Sequence, residues 1–375
     1  MKPLYLFLSL LAFLFLSCDK NKGPLPKESY YRTVLVYLAA DNNLELEAYK
    51  NMKQMEEAIG EVDGNLLVYA KLPNQLPAIY HIAKASGEST GRVKIKEYSN
   101  HNSSDPETMK QVIEDVKEAY PASTYGLILW SHATGWVPPE VEGIKLKSFG
   151  EDKGRRMDVK DLAEAIPDKF DFIMFDACSM ASLEVLYEIK DKAKYFIASP
   201  GEVISNGMPY NKTVNHFFEK GVDAYKTIAQ KYFQHYNAMS GLHQSATISV
   251  IDAAHLQRLA DETKAVLAAQ APAAADLNRA KIQRMDFDRV GNPLIAFDFL
   301  DFMQYNYAAS RLKNLQAVLK EAVIYKANTA NFNGFKIDKN VGLTCYVPTK
   351  ENENIVHPYY RTLGWYKVSG FDKLF

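Results

Sequence analysis

Two side chains of this sequence stand where they could do chemistry. Leu127-Ile128-Leu129-Trp130-Ser131-His132 is an apolar run of strand length that stops at a histidine. Phe172-Ile173-Met174-Phe175-Asp176-Ala177-Cys178 is another, stopping at a cysteine 46 positions further on. Buried strands of a parallel α/β sheet read as such continuous runs, and ligands bind outside their carboxyl ends. Neighbouring strands ending in these residues would put an imidazole and a thiol on one rim, the arrangement of a cysteine nucleophile with a histidine base. Taken singly, His132 reads equally well as a loop cap, and Cys178 reads first as a small buried side chain. The pairing favours chemistry.

The elements that would carry them follow from periodicity. Thr33 to Ala40 is a buried-strand run, and Asp41-Asn42-Asn43 are helix N-cap residue types. A helix then runs from Leu44 to Ile59, with Leu44, Ala48, Met52, Met55 and Ile59 on one face. Strands follow at 65–71, 78–83 and 92–98, and Ser104-Asp105-Pro106-Glu107 starts a helix reaching Tyr120. A short helix over 157–166 precedes the second apolar run. Ser179 to Lys190 reads as helical, so Cys178 would sit at a helix N-terminus, where partial positive charge favours a thiolate. Tyr195 to Ser199 is a further strand, bringing Pro200-Gly201-Glu202 to the same rim. Past Tyr210 the pattern turns to long helices at 222–238, 253–269 and 274–285, with strands near 246–250 and 341–347. The alternation predicts an α/β fold: a mostly parallel central sheet, helices on both faces, and a helical C-terminal part at 211–375.

Composition bounds the rest. With 47% hydrophobic and 24% charged residues the chain can bury a sizeable core, and its net charge of −1 argues against a nucleic-acid partner. Lys2 followed by the apolar stretch Leu4 to Leu16 reads as a secretory signal over 1–17. Phe15-Leu16-Ser17-Cys18 resembles a bacterial lipobox, which predicts lipidation of Cys18, a polar tether over 18–29 and a folded domain over 30–375. The expected location is therefore outside the cytoplasm, anchored by lipid to a membrane of the cell envelope, either the outer membrane or the cell surface. Three cysteines are too few for a disulfide framework, and Cys345 in its strand-like run reads as a buried hydrophobe. The eight histidines are scattered with no metal-ligand spacing, so no metal site is expected.

Several motifs resemble those of the clostripain family of cysteine peptidases. They are His132-Ala133-Thr134-Gly135-Trp136, Asp176-Ala177-Cys178-Ser179-Met180, and Ala198 to Glu202 continuing to Gly207-Met208-Pro209-Tyr210. Val36 to Leu44 is similar to that family's opening strand and turn. The resemblance is clear over 33–210 and fades beyond. It implies a caspase-like α/β/α sandwich with a dyad of Cys178 and His132, acting on proteins or peptides. The backbone N–H groups of Ala133 and Cys178 would stabilise the oxyanion. It further implies cleavage after Arg or Lys, with Asp176 first and Glu202 second as the acid of the S1 pocket. Self-cleavage is implied as well, in the loop over 143–156, for which Lys147 is the candidate position. No cofactor is required; calcium dependence occurs among relatives, and no loop here has the EF-hand pattern.

Alternatives stay open at this point. Asp176 reads also as an acceptor for backbone N–H groups, and Glu202 as a solvated rim residue. The family usually has glycine after its histidine; an alanine there would be strained if the site needs positive φ. That departure leaves room for a catalytically silent surface lipoprotein binding peptides or glycans. A serine hydrolase using Ser131 or Ser179 lacks the G-x-S-x-G elbow.

Overall fold

The computed structural model describes residues 30–84, 91–137, 149–269, 277, 279–287 and 296–375. Cys18 with the signal and tether, and Lys145 with Lys147, lie outside the described residues.

The main strands are β1 (Tyr30–Ala39), β2 (Gly64–Lys71), β3 (Ala78–Ile82), β4 (Arg92–Glu97) and β5 (Ala122–Trp130). A hairpin, β6 (Phe149–Asp152) and β7 (Arg155–Met157), is followed by β8 (Phe170–Asp176), β9 (Ala193–Ala198) and β10 (Thr247–Asp252). Two-residue β11 (Phe297–Asp298) and longer β12 (Val323–Asn328) follow, and the two-residue strands β13 (Asn331–Phe332), β14 (Phe335–Lys336) and β15 (Thr344–Cys345) come last. The central sheet has nine strands in the order β12-β10-β9-β8-β5-β1-β2-β3-β4. Its middle, β9-β8-β5-β1-β2, is parallel, and antiparallel pairs flank it on both sides.

Both faces of the parallel middle of this sheet are covered, which is why its strands read as apolar runs. Along β1, Leu35, Tyr37 and Ala39 enter one core with α2 (Pro106–Ala119), α3 (Val159–Ala165), α4 (Leu183–Glu188) and α7 (Leu256–Ala269). Val34, Val36 and Leu38 enter the other, with α1 (Glu45–Ala58), α5 (Tyr210–Thr213) and α6 (Val222–Asn237). The period of two therefore survives as a choice between two cores rather than between core and water. The face expected on the first helix is present: Ala48, Met52 and Met55 are fully buried and Ile59 nearly so.

Register sets the geometry of the rim. Trp130 of β5 pairs with Asp176 of β8 in the parallel ladder. His132 and Cys178 each lie two residues past that pair, so the two strands release them at the same height.

Three expectations need correction. The helix read over 179–190 is only α4, Leu183–Glu188, capped by Ser182, whose Oγ accepts from Val185 N at 3.3 Å. Ser179 N donates to Gly201 O and Ala181 N to Ser199 O, so this backbone is tied to the strand beside it. Cys178 is thus five residues ahead of the helix, beyond reach of a dipole that fades within one turn. The helix read over 274–285 is, where described, a single turn at Arg279–Lys281. The strand read over 341–347 is reduced to Thr344–Cys345, paired against β11 with a further bridge from Thr344 to Ser182. Helices α8 (Phe299–Asn306) and α9 (Lys313–Ala322) and edge strand β12 were not foreseen.

Candidate functional site

His132 and Cys178 line one cleft of about 180 Å³ at the carboxyl edge of the sheet, together with Asp176, Val203, Ser205 and Gly207. The chain after His132 is fixed by Trp136, which packs against Tyr346 and Tyr360 in the core. Behind His132, Gly150 N of the β6–β7 hairpin donates to His132 O at 3.0 Å. The imidazole Nε2 lies 2.6 Å from Asn43 Oδ1. Asn43 has the residue type of a helix cap, and nothing in the sequence marks its contact with His132.

Cys178 is half-buried, with Val203 N donating to its Sγ at 3.3 Å. Ser179 just after it has φ +59°, the left-handed region that costs a non-glycine residue roughly 1 kcal/mol or more. That turn swings the chain out of β8 and presents the thiol to the cleft. Cys345 is fully buried, and burial pushes its thiol well above the ordinary range, so it stays protonated.

Asp176 is buried at the cleft and well bonded. Its two carboxylate oxygens each lie 3.0 Å from Met208 N, and Tyr210 OH donates to Oδ2 at 3.0 Å. Burial raises its pKa to about 6, against the lowering effect of those two donors. The carboxylate is therefore both a lining group and the backbone acceptor that the plainer reading proposed. Glu202 is corrected: it is buried rather than on the rim, and its Oε2 accepts from Phe287 N at 2.9 Å. It braces a neighbouring loop and is not among the residues lining the cleft.

The loop over Asp176 depends on one glycine. Gly207 has φ +63°, and a Cβ there would stand 2.8 Å from Asp176 Oδ2. Gly207→Ala is expected to cost about 1–3 kcal/mol and to push the carboxylate off Met208. A urea titration reads the first effect; an unchanged midpoint would refute it.

Ala133 is not among the non-glycine residues at positive φ, and it pairs with Phe149 as an antiparallel bridge. Alanine is thus accommodated without strain. Ser131 is buried, donating to Ala39 O at 2.6 Å and accepting from Glu151 N at 2.9 Å, so its hydroxyl is committed to structure. Ser179 is buried too, which leaves the serine-hydrolase reading without an exposed hydroxyl. Among the described residues no three His, Cys, Asp or Glu side chains group as a metal site, and no helix is long and apolar enough to cross a membrane.

Residues 36–374 match the model of the Clostripain family, peptidase C11. Clostripain of Hathewaya histolytica is 24% identical over an alignment of 216 residues that covers 48% of this chain. The match spans 41% of that protein, so the chain aligns with less than half of the relative's length. An inactive zymogen C11 protease from Parabacteroides distasonis superposes with a TM-score of 0.78 at 30% identity, over 91% of this chain and 99% of that one. A secreted C11 cysteine protease from Bacteroides thetaiotaomicron, solved with an irreversible peptide inhibitor, gives 0.78 and 30% over 92% of this chain and 100% of that one.

Proposed function

The chain belongs to the clostripain family, and from that premise we propose that it is an exported cysteine endopeptidase that cuts after Arg or Lys. One observation carries the reading: His132 and Cys178 leave adjacent parallel strands at matched register and line one cleft over a buried carboxylate. In the proposed reaction the Cys178 thiolate attacks the scissile carbonyl carbon, forming a C–S bond and an oxyanion. Backbone N–H groups of Cys178 and Ala133 hold that oxyanion. His132, protonated in the ion pair, gives its proton to the leaving amine as the C–N bond breaks. It then takes a proton from water, which hydrolyses the thioester and frees the thiol. This chemistry needs no cofactor. Asp176 would meet a basic P1 side chain inside the cleft, where a charge-assisted bond is strong.

Hydrolysis of short fluorogenic peptides ending in Arg, Lys or Ala tests this. Arg or Lys substrates should be cut at least about 100-fold faster than Ala, and iodoacetamide should abolish all three. Equal rates would remove the basic preference; rates untouched by alkylation would remove the thiol.

The zymogen state of one structural relative supports a second part of the proposal, self-cleavage after Lys147. Wild-type protein purified from an expression host is expected as two fragments meeting there, and Cys178→Ala as one intact chain. A Cys178→Ala sample cut at the same place would make another protease responsible. The lipobox supports anchoring through Cys18, and the secreted relative supports export.

A further inference from the structure

Asn43 has no task in its own segment. The helix behind it starts at Glu45, with Leu44 at the cap position and no side-chain cap bond. The nearby N–H of Leu44 goes to Asn42 Oδ1, at 2.9 Å. Yet the Asn43 side chain ends 2.6 Å from His132 Nε2.

We propose that Asn43 is a positioning residue for His132, a third member of the catalytic arrangement that fixes which imidazole nitrogen serves as the base. This rests on the peptidase reading above. An amide oxygen can only accept, so Nε2 facing Asn43 Oδ1 carries the hydrogen. The lone pair of the neutral ring is then on Nδ1, and the proton exchanged during turnover is the one at Nδ1. A single tautomer and a single ring orientation replace two of each, which removes unproductive states of the base.

The scaffold around this contact is built to keep its two ends in step. Asn42 Nδ2 donates to Ala39 O at 3.0 Å and to Glu151 O at 2.8 Å, pinning the turn to β1 and to the β6–β7 hairpin. Asp41 forms an ion pair of 2.7 Å with the buried Lys71, and Lys153 N of the hairpin donates to Asp41 O at 3.0 Å. The same hairpin holds the other partner, through Gly150 N on His132 O and Glu151 N on Ser131 Oγ. The turn bearing Asn43 and the strand end bearing His132 therefore hang on one hairpin. An amide at position 43 orients the ring without adding charge, so the thiolate remains the anion that pairs with the imidazolium. A carboxylate there would compete with Cys178 for that role.

Three variants test the assignment: Asn43→Ala, Asn43→Asp and Asn43→Gln. In Asn43→Ala, kcat should fall about 10-fold with KM within about twofold, as expected when one orienting bond of modest strength is lost. The alkaline limb of kcat/KM, where the imidazolium loses its proton, should move down in Asn43→Ala. In Asn43→Asp it should move up by roughly one pH unit or more, since the new carboxylate stabilises the cation. Cys178 and Asp176 of the cleft, Asp41 of the turn with its partner Lys71, and Glu151, Asp152, Lys153, Arg155 and Arg156 of the hairpin are the same in all variants, so the limb reports on position 43. Asn43→Gln, one methylene longer, should recover kcat only in part. Nitrogen-15 NMR of His132 gives a readout independent of activity: a single Nε2–H tautomer in the wild type, a mixture in Asn43→Ala. Unchanged kcat and pH limbs in Asn43→Ala, or an unchanged tautomer, would overturn the assignment. If the wild type cut no peptide at all, the peptidase reading would fall, and the tautomer would still decide the role of Asn43.

Discussion

Replacing Cys178 with alanine is expected to lower kcat by roughly 10⁴- to 10⁶-fold, because the proposed covalent intermediate forms on its sulfur. His132→Ala should fall by a similar order, and the double variant by no more than the worse single one. Residues acting as one unit fail together, so near-complete non-additivity is the signature of a dyad rather than of two separate contributions. Folding is not expected to follow activity down. Cys178 is half-buried, and its sulfur receives a weak bond from Val203 N at 3.3 Å, so alanine should leave Tm within about 2 °C. Burst-phase acylation, present in wild type and absent in Cys178→Ala, checks the chemistry directly. A Cys178→Ala protein that kept even a tenth of wild-type turnover would dismiss the nucleophile assignment.

What could be read from the sequence, and what could not, follows from how far each interaction reaches along the chain. The strands ending at His132 and Cys178 were legible because a strand buried on both faces must be apolar throughout, whatever its neighbours are. Matched register was not legible: it is a pairing between β5 and β8, and nothing local fixes it. Asp41, Asn42 and Asn43 looked like a helix cap because Asx residues before an amphipathic stretch look the same whether they cap or reach elsewhere. Here Asp41 goes to Lys71, Asn42 to the hairpin and Asn43 to His132. The segment after Cys178 has helical composition, but a left-handed turn at Ser179 and backbone bonds to Ser199 and Gly201 keep it out of the helix until Ser182. Tertiary partners overrode propensity there. Glu202 looked solvated because Phe287, which covers it, is 85 residues away.

The second large effect belongs to Asp176, and it separates recognition from structure. Asp176→Asn is expected to cut kcat/KM for Arg substrates by roughly 10²- to 10⁴-fold, while an Ala substrate loses little. The amide can still accept from Met208 N and contact Tyr210 OH, so the loop over it should stay in place. Stability should move in the opposite direction from activity. The carboxyl pKa rises from its ordinary 3.8 to about 6, chiefly through burial, so the fold favours the protonated form. That contribution is fully present below the unfolded value of 3.8 and is lost as pH rises through about 6. A shift of about two units corresponds to about 3 kcal/mol in order of magnitude. At pH 8 the asparagine variant should therefore be at least as stable as wild type, and its stability should be flatter between about pH 4 and 6. A bound guanidinium reverses the balance by stabilising the anion. The ratio of Arg to Ala turnover, in which the dyad's own titration cancels, should consequently rise with pH through about 6 in wild type and stay level in the variant. Should that ratio prove the same in both proteins, Asp176 would be left with the plainer role of holding Met208 and Tyr210, and the basic preference would need another acid.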